Sequence, residues 1–342
     1  MSFEGEDLNH TSSALYVLFH PYTVPMRFYL LSENWPEIEG QAGRAHELGT
    51  QRSLAKSNSN TPTLPMFLPH KNQTIMPQSG PEVVAFWQPD GVQKYLAASP
   101  SNFIGLLADG ITVLKYPHRK TQETLLYLHE EADRYIRLGP HVSLVAYKGF
   151  TEDGLLLEYC ERGALDAMIR SHNEMTQDRK TIISQRIVSG LVHLHAQNFI
   201  HCDLHCRNVF LTSDMSAKIG DLQGQLYRPD GSIEMETMSQ ESPKSRHPDA
   251  GDDEFSFRTD IFALGTLLYQ LWHGELPFPE LDEYRNQDLI EAKYREGDYP
   301  PDLDYTTFFD VVISKCWSSK YAHASEILED IEVCLREELM ES

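Results

Sequence analysis

From about Trp87 onward the chain settles into short apolar runs separated by turn formers. Phe103–Leu107, Ile111–Tyr116, Leu144–Tyr147 and Leu155–Tyr159 read as strands. Between the second and third lies Thr121–Leu138, where Leu128, Ala132, Tyr135 and Leu138 recur at three- and four-residue spacing. That spacing predicts a helix with one buried face. From Leu165 the pattern turns mostly helical, with Thr181–His195, Thr259–His273 and Ser325–Glu338 as the strongest segments. A strand-rich part followed by a larger helical part predicts an α+β, two-lobed architecture. Residues 1–85 differ. After an apolar stretch, Ala14–Leu31, they are rich in Ser, Asn, Pro and Gln, and Gln51–Pro81 has little periodicity and reads as loop or disorder. His20, Pro21, Pro25 and Arg27 interrupt the apolar stretch, which makes it a poor membrane span and a better packing segment.

Composition narrows this picture without changing it. Of 342 residues 41% are hydrophobic, enough to build a core, and no internal repeat is visible. With 29 basic and 51 acidic side chains the formal net charge is −22, which excludes binding to nucleic acid or anionic membrane through bulk charge. A basic peptide suits such a chain better. The five cysteines are odd in number and scattered, so no disulfide framework is expected and a reducing compartment, cytoplasm or nucleus, fits. The N-terminus lacks the basic, apolar and small-residue order of a secretory signal.

One segment concentrates chemistry. Ile200–Leu211 reads IHCDLHCRNVFL, so Asp203 and Asn208 fall on a loop between a helix and a short strand. Asp221 follows in KIGDLQG, just past the short run Ala217–Ile219. Phosphoryl transfer needs one carboxylate to accept or orient the proton of the nucleophile, and an amide oxygen with a second carboxylate to hold Mg²⁺. Each residue alone reads as an exposed polar side chain, but their order inside an apolar frame favours the chemical reading. His201, Cys202, His205 and Cys206 also raise a zinc reading, but tetrahedral sites draw ligands from separated pairs, whereas these crowd one loop.

The sequence here resembles the eukaryotic protein kinases, whose catalytic loop runs H-R-D-L-x-x-x-N and whose metal loop is D-F-G. The resemblance covers about Val92 to Leu335, and implies an N-lobe at 86–158, a C-lobe at 159–340 and an extension at 1–85. DGITVLK resembles the lysine strand, so Lys115 is expected at the α/β-phosphates of ATP. Glu131, in HEEADRYIRL, is expected to pair with it, with Glu130 as the alternative if the helix is rotated. LLLEYC is similar to the hinge strand, with Leu157 as gatekeeper and the backbones of Glu158 and Cys160 at adenine. Asp203 is then the catalytic carboxylate, and Asn208 and Asp221 the Mg²⁺ ligands. TDIFALGTLLYQLWHGELPF resembles the long central helix of the large lobe, with Asp260 anchoring the catalytic loop, Gly265 permitting close packing, and Pro277 and Phe278 closing the segment. CWSSKYAHASEIL resembles the late helices, and the wording LGPH and DLQG is most similar to a divergent fungal group of kinase-domain proteins. The resemblance implies a protein kinase using ATP and Mg²⁺ on a protein hydroxyl, with Ser/Thr as the default; it leaves the oligomeric state unstated.

The pattern is also broken. Ala97, Ser99 and Asn102 stand at the three glycine positions of the phosphate loop, where backbone must approach phosphate, so weakened phosphate clamping is expected. Cys202 replaces the arginine that receives a phosphorylated activation loop, which predicts no activation by that route. His205 replaces the lysine usual in Ser/Thr kinases, and Arg207 matches an arginine of the tyrosine kinases. Gln223 stands at the glycine of D-F-G, with Gly224 one later. The activation segment, Gln225–Arg258, keeps Pro248 as its landmark, and the acid–arginine pair that normally closes it reads as lost from both sides. A pseudokinase acting as a binding or scaffold module is therefore the alternative. A small-molecule kinase of the aminoglycoside or choline type, suggested by HCDLHCRN, is opposed by the D-I-F-A-L-G helix.

Overall fold

The computed structural model describes residues 15–18, 83–171, 175–251 and 253–341. The chain divides into two units, Met1–Gln88 and Pro89–Ser342. In the first, strand β1 (Leu15–Leu18) pairs antiparallel with β2 (Val83–Phe86), Leu15 lying opposite Phe86. The loop expected over Gln51–Pro81, and the apolar stretch beyond β1, lie outside the described residues.

The second unit opens with an antiparallel sheet and one helix. Its strands are β3 (Val92–Ala98), β4 (Asn102–Leu107), β5 (Thr112–Pro117), β6 (Tyr147–Thr151) and β7 (Gly154–Glu158), ordered β3-β4-β5-β7-β6. Asp109 builds the β4–β5 turn, its carboxylate accepting from the N–H groups of Ile111 (3.0 Å) and Thr112 (2.9 Å). Helix α1 (Gln122–Leu138) starts on a reciprocal cap between Thr121 and Thr124. Its predicted face of Leu128, Ala132, Tyr135 and Leu138 is buried. The strand predicted over Leu144–Tyr147 is corrected. Leu144 makes a single parallel bridge to Ile219, and regular pairing begins only at Tyr147. Leu144 and Val145 are apolar because both are buried in the main hydrophobic core. β3 was missed because its side chains are mostly exposed or half-buried and carry little alternation.

The helical lobe contains β8 (Gly163–Ala164), α2 (Leu165–Arg170), α3 (Gln177–Ala196), β9 (Phe199–Ile200), β10 (Val209–Leu211), β11 (Ala217–Ile219), β12 (Gln225–Tyr227), β13 (Ile233–Met235), α4 (Phe257–His273), α5 (Gln287–Glu296), α6 (Phe308–Trp317) and α7 (Ala324–Glu341). Every residue of α4 from Thr259 to Leu271 is buried, as expected of a helix that crosses the centre of a lobe. Gly265 explains how it fits. A Cβ there would come within 2.9 Å of both Cys316 and Trp317 on α6, so only glycine lets the two helices approach this closely. Ile183, Ile187 and Leu191 of α3 are fully buried, each contributing about 1.5–3 kcal/mol by burial. Two three-stranded sheets, β11-β10-β8 and β13-β12-β9, frame the loops between α3 and α4. Among the described residues no helix is long and apolar enough to cross a membrane.

Candidate active site

β5 is buried along its whole length, and Lys115 within it is only 6% exposed. A buried ammonium needs counter-charges. Lys115 Nζ lies 2.7 Å from Glu131 Oε2 on α1 and also contacts Asp221 Oδ1 beyond β11. Burial alone would push the Lys115 ammonium down. The charges of Asp221 and then Glu131 outweigh burial and hold it above the ordinary lysine value. Glu131 is fully buried, and burial, opposed by Lys115, leaves its carboxyl above the usual range. Glu130, the alternative partner, instead lies 4.0 Å from Arg134 with its side chain 41% exposed.

The catalytic-loop candidates are held from beneath. Asp260 of α4 is fully buried and accepts from the N–H groups of His201 (2.8 Å) and Cys202 (3.1 Å), while His195 Nε2 lies 3.0 Å from the same carboxylate. Cys202 takes a left-handed conformation (φ 63°) at this bend. Beyond it, Asn208 Nδ2 donates to the Asp203 carbonyl (3.0 Å) and to Asp203 Oδ2 (3.3 Å), and His205 Nε2 lies 3.1 Å from Asp203 Oδ1. The β10–β11 hairpin carries Asp221 alongside, with the Gly220 N–H donating to the Asn208 carbonyl at 2.9 Å. Asp203, Asn208 and Asp221 therefore share one corner, and Asp221 meets Lys115 there. The four residues of the zinc reading have separate partners: His201 the Gly220 carbonyl, Cys202 the Ile200 carbonyl, Cys206 the Leu267 carbonyl and His205 the Asp203 carboxylate.

The metal loop and helix α1 beside it hold two residues whose roles sequence reasoning missed, Gln223 and Arg134. Gln223, which reads as a loss, donates from Nε2 to Glu131 Oε2 (2.9 Å) and to Asp221 Oδ1 (3.2 Å). The glycine is displaced rather than absent, because a Cβ at Gly224 would fall 1.9 Å from the Ile200 carbonyl oxygen. Arg134, three residues after Glu131, is fully buried and donates from Nε to the Gly224 carbonyl (2.9 Å) and from a terminal nitrogen to the Glu236 carbonyl. The available signal was an arginine on the inward side of a helix whose neighbours, Ala132 and Tyr135, are apolar. Leu222 and Tyr135 are both buried in the main hydrophobic core.

The β3–β4 turn, which carries the positions of the phosphate-loop glycines, differs. Ala97, Ser99 and Asn102 all keep negative φ. The turn closes on itself, with the Ser99 N–H donating to the Asn102 carbonyl (2.8 Å) and the Asn102 N–H to Ser99 Oγ (3.1 Å). Pro100 has no N–H. In the hinge, Leu157 is buried opposite Val113 of β5. The Glu158 N–H donates to the Ala146 carbonyl (2.9 Å), its side chain pairs with Lys218 (2.9 Å), and the Cys160 carbonyl accepts from Gly163 (3.0 Å).

The acid–arginine pair expected to be lost is present in altered form. Asp249, directly after Pro248, lies 3.2 Å from Arg295 of α5 and 3.6 Å from Arg258 of α4. The arginine comes from a different helix than the family pattern leads one to search, which hid it from a linear reading. Earlier in the segment Glu241 is buried, and its carboxyl is pushed up to about 8 by burial and then by the nearby Asp260 charge.

Comparison with known proteins agrees with this geometry. The profile of the family described as protein tyrosine and serine/threonine kinase matches residues 109–330. A Caenorhabditis elegans protein named as a candidate tyrosine-protein kinase is 27% identical over 237 residues, 61% of this chain and 26% of the relative. The RAF proto-oncogene serine/threonine-protein kinase of Xenopus laevis is 29% identical over 204 residues, 56% of this chain and 31% of the relative. The chain thus spans between a quarter and a third of the length of these curated relatives. With a buried lysine–glutamate pair, a catalytic loop seated on a buried aspartate and a family match over most of the second unit, the chain belongs to the protein kinase family.

Proposed function

We propose that the domain transfers the γ-phosphoryl group of ATP to a protein hydroxyl, with Ser/Thr as the default acceptor. The observation that carries this reading is the single ammonium of Lys115 reaching both Glu131 and Asp221, beside the Asp203–Asn208 pair. Lys115, held by Glu131, meets the α/β-phosphates. Asp203 orients the acceptor hydroxyl and takes its proton, with His205 and Asn208 fixing its two oxygens. The Asn208 amide nitrogen is spent on Asp203, so its oxygen remains, and with the Asp221 carboxylate it forms the hard-oxygen pair that Mg²⁺ prefers. Asp221 suits that role because its side chain is 31% exposed while Lys115 covers one oxygen. Mg²⁺, when bound, neutralises phosphate charge. Leu157 bounds the adenine site, where the backbones of Glu158 and Cys160 would bond the base. The kinase-like region is read as 86–340, with 1–85 as an extension.

A second reading, a pseudokinase that binds or scaffolds with weak or no transfer, is favoured by one observation: the closed turn at Ser99–Asn102, which withholds backbone donors from phosphate. A γ-phosphate transfer assay on a basic protein, run with Asp203→Asn and with thermal-shift titration of Mg-ATP, decides between the two. The wild type transfers phosphate, and the Asn variant loses at least about a hundredfold while keeping its thermal shift. Equal activity in the variant removes Asp203 from the mechanism. A shift without transfer, or no shift at millimolar nucleotide, establishes the scaffold.

A further inference from the structure

Gln223 and Lys115 grip the same two oxygens. Nε2 of Gln223 donates to Glu131 Oε2 and Asp221 Oδ1, the atoms that Lys115 Nζ also contacts. The two carboxylates are therefore joined once by a charged group and once by a neutral one. The Gln223 backbone is fixed at both ends, its N–H donating to the Asp221 carbonyl (2.9 Å) and its carbonyl accepting from the Met238 N–H (2.8 Å). On the next residue, Arg134 donates to the Gly224 carbonyl and, across the returning segment, to the Glu236 carbonyl. Helix α1 is thus tied to the metal loop directly at positions 223 and 224, and to Asp221 through Lys115. None of these ties involves the catalytic-loop position that receives a phosphate in the kinase pattern, where this chain carries Cys202.

We propose that Gln223 is a positioning residue whose side-chain amide, braced by Arg134, keeps Asp221 and Glu131 assembled without a phosphorylated activation segment. This rests on the phosphotransfer reading of the same site. Two carboxylates around one ammonium leave an excess negative charge. An amide supplies donors without adding charge of either sign. When Lys115, held by Glu131, meets the phosphates of a nucleotide, its hold on Asp221 slackens, and Gln223 keeps the two acids in register. Glycine at this position would leave Asp221 free to swing away from the metal.

The test uses the full chain with Gln223→Gly and Gln223→Glu, the second being isosteric but adding a third carboxylate. Backbone hydrogen exchange is measured without nucleotide, and phosphate transfer is measured against free Mg²⁺. Loss of one hydrogen-bonded brace raises the half-saturating Mg²⁺ about fivefold in Gln223→Gly, with kcat at saturation within about twofold. Exchange at Met238, whose N–H donates to the Gln223 carbonyl, quickens by a similar factor. Gln223→Glu shows the same changes, larger, and Arg134→Met quickens exchange over the same segment. Unchanged exchange and unchanged Mg²⁺ dependence in both Gln223 variants overturns the proposal. If the wild type transfers no phosphate, the functional reading fails by itself, and the exchange arm still decides whether Gln223 holds the loop.

Discussion

Two regions of the kinase domain, the β3–β4 turn and the catalytic and metal loops, depart from the family pattern in opposite ways. Around the catalytic and metal loops the groups assigned to chemistry are held by partners: Lys115 by Glu131 and Asp221, Asp203 by Asn208 and His205, and the loop backbone by Asp260. The β3–β4 turn has lost its glycines and spends two of its N–H groups internally. The difference follows from what each region must supply. The loops place side-chain charge, and their anchors are buried in the core, so altering them costs stability. The turn supplies bare backbone donors at an exposed edge, and it can close on itself without disturbing the sheet. Selection for the fold alone therefore protects the loops better than it protects the turn.

The largest effect that tests this contrast comes from Lys115→Met. The substitution leaves Glu131 buried and Asp221 beside it without their shared cation, and breaking a buried pair from one side costs about 3–5 kcal/mol. Thermal unfolding should show that loss, and Mg-ATP should no longer shift the transition. A variant as stable as the wild type, binding nucleotide equally, would mean that the loops are no better anchored than the turn.

A smaller effect asks whether order in the lower region depends on protonation. Glu241 lies close to Asp260 and Asp203, with Cys202 and Arg246 also near, and one of its carboxyl oxygens is buried without a partner. Its folded-state pKa of about 8 exceeds the ordinary 4.5, so the stability it contributes is complete below about pH 4.5 and is lost as pH rises through 8. Glu241→Gln removes the titrating group. Relative to that variant, the wild type should lose about 2.5 kcal/mol between about pH 6 and about pH 9, read from denaturant melts. Parallel pH profiles would show that Glu241 ionises freely and that the activation segment is looser than the structure describes.

How much of this was legible in the sequence depended on what each residue contacts. The helix face of α1, the central helix α4 and the spacing from Asp203 to Asn208 to Asp221 are linear patterns, and they could be read. Glu131 could be chosen over Glu130 only by its rotation on α1, which the apolar positions suggested and the contact with Lys115 resolved. Gln223 read as a defect because its value lies in joining Asp221, two residues back, to Glu131, which is distant in sequence and on another element. Arg295 was invisible for a related reason, since it reaches Asp249 from a helix the family pattern does not point to. The weak strand β3 escaped because an exposed edge carries little alternation. Burial writes itself into periodicity, whereas polar contacts between remote segments do not.

The smallest effect is the most direct test of the contrast, because it repairs the turn instead of damaging the loops. In Ser99→Gly with Pro100→Gly, the Asn102 N–H loses its Ser99 Oγ acceptor and position 100 gains a donor. Two glycines at a turn cost stability through the unfolded chain, about 0.5–1 kcal/mol each. In return the backbone can approach phosphate. Phosphate contacts made equally in the ground and transition states lower KM and leave kcat unchanged. The double variant should therefore show a KM for Mg-ATP lower by about threefold to tenfold, worth about one hydrogen bond, with kcat within about twofold. Adding Asp203→Asn to it should keep the tighter nucleotide binding and abolish transfer, which separates grip from chemistry on a single chain. An unchanged KM would place the turn away from the phosphates, and the contrast would then reduce to one well-anchored site with an unrelated loop at the edge of its sheet.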